Sequence, residues 1–274
     1  MKEAGQSLDH EGVSSDREKS MERNRVSHAL PARVAVLLIL VVTVNLCVKT
    51  TQTPSPAATP ASRPATAIAR GNPWLPEVAL TFDDGPSQYT PQILAILQRY
   101  GVQATFFSIG QNIAQFPTYL QQGLAGKNAV ENHTFTHPHL TTLPFASICR
   151  ELSTTQNAVL RETGTCPTVF RPPYGEYNAD VVSAASQLGL TVVTWDADAC
   201  DWSIPQPSAE VIASRILNAA DNGAILLLHE GGGNRANTVA ALPAIITGLL
   251  ARGLTLVTLP QMLAGLNPGN LQSR

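Results

Sequence analysis

Two adjacent carboxylates, Asp83 and Asp84, close an apolar run, Val78-Ala79-Leu80-Thr81-Phe82, and are followed by Gly85-Pro86. The run has the composition of a buried strand, and Gly-Pro breaks any regular element. A carboxylate pair at the end of a buried strand is costly unless a metal ion or another cation offsets its desolvation. Taken alone, Asp-Gly is ordinary turn chemistry. A second cluster shifts the balance. His133-Thr134-Phe135-Thr136-His137 sets two imidazoles four residues apart, a spacing that a helical turn presents on one face. Two such rings suit zinc or a similar divalent ion, with Asp84 as the third ligand and open positions for water and substrate. Asp83 is then left as a general base toward water. His139, beyond Pro138, is expected to point elsewhere.

The elements that must position these residues follow from the pattern between Trp74 and Leu263. Strands are expected at Val78–Phe82, Ala104–Ile109, Ala129–Asn132, Thr168–Phe170, Thr191–Trp195, Ala224–Leu228 and Thr255–Thr258. Phe145, Ile148, Leu152, Val159 and Leu160 recur at helical spacing, as do Leu242, Ile245, Ile246, Leu249 and Leu250. Apolar strands alternating with helices predict a parallel sheet covered by helices. With no dinucleotide-type glycine loop, the expected fold is α/β, a single distorted (β/α) barrel of about seven parallel strands. In such a barrel, function gathers at the C-terminal strand ends. Asp83-Asp84, His133–His137, Arg171–Gly175, Asp196–Trp202 and His229-Glu230 all stand at such ends. Singly, each has a plain reading: a surface arginine, helix-capping acids, a packing tryptophan, a satisfied core histidine.

Together, Thr81–Pro86, His133–His137, Arg171–Gly175, Asp198-Ala-Cys-Asp201-Trp202 and Leu226-Leu-Leu-His229 resemble the five ordered motifs of the polysaccharide deacetylases, carbohydrate esterase family four. The resemblance spans roughly 76–263. It implies a metal held by Asp84, His133 and His137, zinc first and cobalt or nickel as alternatives. It implies Asp83 as catalytic base, paired with Arg171, and His229 as the acid that protonates the leaving amine, oriented by Asp198. It implies the Tyr174 backbone N–H as an oxyanion donor, and Trp202, Leu227, Pro172 and the Tyr174 side chain around the substrate. The implied reaction removes N-acetyl groups from N-acetylglucosamine polymers, peptidoglycan first and chitin oligosaccharide second. The alternatives are an O-acetyl xylan esterase, a catalytically silent carbohydrate-binding or wall protein on the same fold, or another metal amidohydrolase. Glu131, Asn128 and Glu230 depart from the family pattern; Glu131 is expected to crowd the site or shift its metal affinity.

The chain of 274 residues carries a formal net charge of −2, without the basic excess of a nucleic-acid binder. Residues 1–32 read as a disordered tail. The apolar run within 33–49, preceded by arginines, reads as a signal peptide or signal anchor, with Met21 as an alternative start. Residues 50–72, rich in Thr, Pro, Ala and Ser, read as a linker, residues 73–263 as the catalytic domain, and 264–274 as a tail. These features predict a monomeric enzyme exported to the outer side of a membrane, tethered or secreted, with polysaccharide as its partner. Of the four cysteines, Cys149 and Cys200 are placed on the catalytic face, and a bridge between them is expected.

Overall fold

The computed structural model describes residues 67–266. The expected tail, apolar segment and most of the linker lie outside the described residues. Among those described, no helix is long and apolar enough to cross a membrane.

Eight parallel strand segments carry the fold: β1 (Glu77–Gly85), β2 (Thr105–Ser108), β3 (Ala129–Asn132), β4 (Val169–Phe170), β5 (Thr191–Val192), β6 (Ala197–Asp198), β7 (Ile225–His229) and β8 (Thr255–Leu256). The helices are α1 (Thr90–Tyr100), α2 (Gly110–Ile113), α3 (Pro117–Ala125), α4 (Phe145–Thr163), α5 (Ala179–Gln187), α6 (Ala209–Ala219), α7 (Ala236–Ala251) and α8 (Leu259–Ala264). Seven strands follow the path β5-β4-β3-β2-β1-β7-β6, while β8 pairs with the first residues of β1. The result is the expected distorted barrel, curled and incompletely closed. Ile68 and Arg70, inside the segment whose composition reads as linker, bridge to Val193 and Ala224.

β1 shows why the chemistry collects where it does. Its alternate residues Val78, Leu80 and Phe82 pack outward among Ile93, Ile212 and Ile245 of the covering helices. Ala79 faces inward with Phe107, Val193 and Ile225, and the two-residue period sends Thr81 and Asp83 to that same interior face. β6 was not expected: Asp196-Ala197-Asp198 has no apolar run, and the strand exists only because it pairs with Leu226 and Leu227 of β7. The sheet order also corrects the cysteine expectation. Cys149 and Cys200 are free thiols. Cys149 lies on α4, which packs on β3, and Cys200 follows β6, four places along the sheet. At ~4.8 Å per strand, sharing one rim does not make them neighbours.

Candidate active site

Consecutive residues of a strand point to opposite faces, so Asp83 and Asp84 should diverge. They do not, because β1 shifts register between Asp83 and Gly85 against β2, and Asp84 adopts φ 68°. This bulge re-aims the second carboxylate beside the first. Two glycines after β7 make room for it. A Cβ on Gly231 would fall 1.9 Å from the Asp84 carbonyl oxygen, and one on Gly232 2.5 Å from Asp84 Oδ2.

The histidine segment is not the helical turn that its spacing suggests. Residues 133–139 form an irregular loop in which Thr134 and His137 have φ of 67° and 60°. The loop is tied by its own side chains. Thr134 N–H donates to Asn132 Oδ1 and His137 N–H to Thr134 Oγ1, at 2.9 and 3.0 Å. The amides of Phe135 and Thr136 donate to Glu151 Oε2 of α4, and the Thr136 hydroxyl donates to Glu151 Oε1. A loop held from outside can converge two rings as a helix would, and sequence spacing does not separate the two.

Ligand atoms of Asp84, His133 and His137 lie within 4.8 Å of one another. Asp84 Oδ1 is 3.5 Å from His133 Nε2 and 3.3 Å from His137 Nε2. A tetrahedral zinc ion with bonds of ~2.0–2.1 Å spaces its ligands ~3.4 Å apart. Asp84 Oδ1 is buried with no hydrogen-bond partner among the described residues, an orphan of the kind a cation satisfies. His133 Nδ1–H donates to the Arg171 carbonyl oxygen at 2.8 Å, which leaves the Nε2 lone pair facing the cluster. The donor set therefore fits a divalent ion. Burial would raise the pKa of Asp84, but His133, with the rings of His229 and His137, outweighs it and holds this carboxyl well below the usual range.

Asp83 is buried, and its Oδ1 accepts from Arg171 Nη1 at 2.7 Å. Arg171 is fully buried, bonded also to Thr81 Oγ1 and the Thr194 carbonyl, with its guanidinium 4.2 Å from the centre of the Phe107 ring. Burial lowers its pKa, and the Asp83 charge opposes that. Asp83 Oδ2 is left toward the histidines, 3.7 Å from His133 Nε2.

Next to Asp83 in register, at the end of the neighbouring strand β7, stands His229. Its Nδ1–H donates to Asp201 Oδ1 at 2.7 Å, and its backbone N–H donates to Asp201 Oδ2 at 2.9 Å. The Thr238 hydroxyl, on the first turn of α7, donates to that same Oδ2. Burial would lower the pKa of His229, but Asp201 reverses this and raises it. Burial likewise pushes Asp201 up, and His229 brings it below its ordinary value. The expectation for Asp198 is thereby corrected: Asp201, not Asp198, holds the imidazole. Asp198 Oδ1 accepts from Cys200 N–H at 2.6 Å and its Oδ2 lies 3.5 Å from Trp202 Nε1. Cys200, at φ 48°, turns the chain so that Asp201 is wholly buried. Thr238 had no distinguishing sequence signal. Neither had Arg235, whose buried guanidinium donates to the carbonyls of Gly231, Gly232 and Asp201 and fixes the loop over Asp84.

Asp83, Asp84, His133, His137, His229 and Arg235 line one cavity of about 370 Å³, with Tyr174, Trp202, Leu227 and Asp198 also on its walls. Trp195, not expected, is there too. Pro172 is buried behind the wall, where its carbonyl accepts from Gly175 N–H at 3.0 Å. Glu131 does not crowd the site. Its Oε2 accepts from the amides of Thr168 and Val169, both at 2.8 Å, and burial raises its pKa to about 7. His139 is half-exposed on the rim, 3.0 Å from Glu176 Oε2.

Fold and site define a barrel whose strand ends bring a divalent-ion ligand set, an arginine-held buried carboxylate and an acid-held imidazole around one cleft. Residues 71–193 match the family model for polysaccharide deacetylase. The chain is 40% identical over 199 residues to the chitooligosaccharide deacetylase of Rhizobium leguminosarum bv. trifolii, covering 67% of this chain and 90% of that protein. It is 39% identical over 178 residues to the bifunctional xylanase/xylan deacetylase of Cellvibrio japonicus, covering 65% of this chain but 26% of that one. The crystal structure of the Bc1960 peptidoglycan N-acetylglucosamine deacetylase superposes with a TM-score of 0.69 at 34% identity, covering 72% of this chain and 92% of that chain. The chain belongs to the polysaccharide deacetylase family. It spans about a quarter to two fifths of the length of the longer relatives it matches.

Proposed function

We propose that this protein is a metal-dependent hydrolase that removes N-acetyl groups from an N-acetylglucosamine polysaccharide, releasing acetate. The observation that carries the reading is what one cleft gathers: Asp83, the Asp84–His133–His137 cluster with its orphaned Asp84 Oδ1, and an imidazole whose Nδ1–H is held by Asp201.

Asp84, His133 and His137 would hold the ion, with zinc favoured by the nitrogen-rich set and cobalt or nickel also compatible. When bound, such an ion supplies Lewis-acid polarisation of the acetyl oxygen and acidifies water. Arg171 fixes the orientation of Asp83 through the Nη1–H···Oδ1 bond, so that Oδ2 takes the proton of the attacking water. The Tyr174 N–H is matched to no acceptor among the described residues and stands free to donate to the developing oxyanion. His229, whose pKa Asp201 raises, gives its Nε2 proton to the departing amine. Leu227 and Trp202 wall the acetyl methyl from water.

Peptidoglycan is the first substrate choice, because the apolar N-terminal run and linker suit export to a cell envelope, where a tethered or secreted monomer would meet it. Chitin oligosaccharide follows, and acetyl xylan is third. The test is acetate release from peptidoglycan, chitopentaose and acetyl xylan, with bound metal measured on the same sample. Asp83→Asn is expected to abolish release while bound metal stays near the wild-type value. Normal turnover by that variant removes Asp83 as the base. Glycan binding without acetate at any metal concentration favours a silent binding protein instead.

A further inference from the structure

The turn that carries Tyr174 is conformationally costly. Tyr174 has φ 61° and ψ 6°, and Gly175 follows at φ 70°. A bulky residue in the left-handed region persists only where its surroundings over-determine it. Two side chains outside the expected motifs do so here, from opposite sides.

Beneath the turn lies Trp195. A Cβ on Gly175 would sit 2.9 Å from the indole Cη2 and 3.4 Å from Cζ3, so the ring rests directly against the Gly175 backbone. The same indole lies 5.8 Å from the Arg171 guanidinium, whose other neighbour is the Phe107 ring. On the outer side the Tyr174 ring stacks on His139, with centroids 4.0 Å apart and planes 13° apart, and meets the His137 ring edge-on at 4.7 Å. His139 is anchored by Glu176, which leaves the same turn one residue after Gly175. The contacts close a ring around one peptide.

We propose that Trp195 and His139 are positioning residues that clamp this turn and thereby aim the Tyr174 N–H into the cleft. The proposal rests on reading that N–H as the oxyanion donor. Neither side chain touches the reacting atoms; each acts through the backbone of Tyr174. Trp195 is the stronger arm, because it fills the space into which Gly175 would otherwise relax. Its contact with Arg171 joins the turn to the cation that orients Asp83.

The test uses the zinc-loaded full chain, a phosphonate mimic of the tetrahedral intermediate, and the variants Trp195→Phe and His139→Ala. Phenylalanine keeps an aromatic ring but loses the outer atoms that reach Gly175. For Trp195→Phe, kcat is expected to fall about tenfold, part of the loss seen when an oxyanion donor is removed outright. KM and bound zinc are expected to stay within twofold of wild type. His139→Ala is expected to lower kcat about threefold in the same way. A fall in KM alone, or in bound zinc, overturns the clamp. The amide resonance of Tyr174 separates this proposal from the reading beneath it. In wild type it is expected to move downfield when the phosphonate binds, and to move less in Trp195→Phe. No movement in wild type overturns the oxyanion reading and the clamp's catalytic meaning with it. Full movement in both proteins, with kcat unchanged, leaves the oxyanion reading standing and overturns the clamp alone. Gly175→Ala is strained at φ 70° in either protein, and is expected to cost less in the Trp195→Phe background than in wild type because the indole clash is relieved; additive losses also overturn the clamp.

Discussion

The two walls of the cleft are built on opposite electrostatic plans. On one wall Asp84, His133 and His137 converge at 3.3–3.5 Å without mutual hydrogen bonds, and a buried carboxylate oxygen is left unsatisfied. On the other, Asp201 accepts from the His229 ring, the His229 amide and the Thr238 hydroxyl, and the group is complete from the chain's own atoms. The first wall needs something the polypeptide does not contain. The second needs nothing. Left-handed backbone occurs on both: Asp84 and His137 on the first wall, and Cys200, which turns Asp201 inward, on the second.

The largest effect should come from breaking the incomplete wall. Asp84→Asn is expected to lose bound zinc and acetate release together, and its melting temperature should no longer rise when zinc is added. Wild type should gain about 2.7 kcal/mol at a hundredfold excess of zinc over its Kd, read by thermal or urea unfolding. A zinc response retained by the variant would unseat Asp84 as a ligand.

Next is Asp201→Asn, which should keep the zinc response and lose activity by at least about a hundredfold. The remaining activity should show its alkaline limb at lower pH, since removing the carboxylate lowers the pKa of His229. Stability carries its own sign. The raised His229 pKa contributes stability that is full below the ordinary imidazole value and is lost as pH rises through the folded one. The lowered Asp201 pKa contributes stability present above the ordinary carboxylate value and lost as pH falls through the folded one. The destabilisation by Asp201→Asn, on the order of 3 kcal/mol for a buried pair that loses one partner, should therefore peak in mildly acidic solution and shrink toward alkaline pH. Denaturant titrations across pH measure it; a flat profile would dissolve the distinction between the walls.

Thr238→Val sharpens the comparison at smaller scale. It removes one of three donors to Asp201, worth about 1 kcal/mol, so a several-fold fall in kcat is expected with zinc affinity unchanged. Glu131→Gln is the smallest. Its side chain serves the start of β4 rather than the cleft, so acetate release should stay within twofold of wild type. The Glu131 pKa, raised from 4.5 to about 7, means that wild type loses stability as pH rises through that interval. The glutamine variant should not, so it should become the more stable protein toward neutral pH, as unfolding at pH 5 and pH 8 would show.

Much of this architecture is legible in the residues because its causes are local. β1 and β7 are long apolar runs that stop at polar residues, and such runs are read without knowing their neighbours. Arg171 is not legible from its neighbours, where it reads as a plain surface arginine before two prolines; only the resemblance implies its role. β6 is illegible for the converse reason: two residues, one of them charged, become a strand through pairing alone. The choice between Asp198 and Asp201 is lost with it. Both are acids, three residues apart, and only the turn at Cys200 decides which of them enters the core.

By itself the sequence determined the barrel, its polar rim, and the carboxylates and imidazoles that stand there, because strand periodicity and residue chemistry are properties of short stretches. Tertiary structure alone decided how they meet. It set the bulge that makes Asp83 and Asp84 cooperate, the Glu151-tied loop that converges His133 and His137, and the burial of Asp201 under His229. Each of these depends on hydrogen bonds and packing between residues distant in the chain, and no local pattern encodes a partner that another strand or helix supplies.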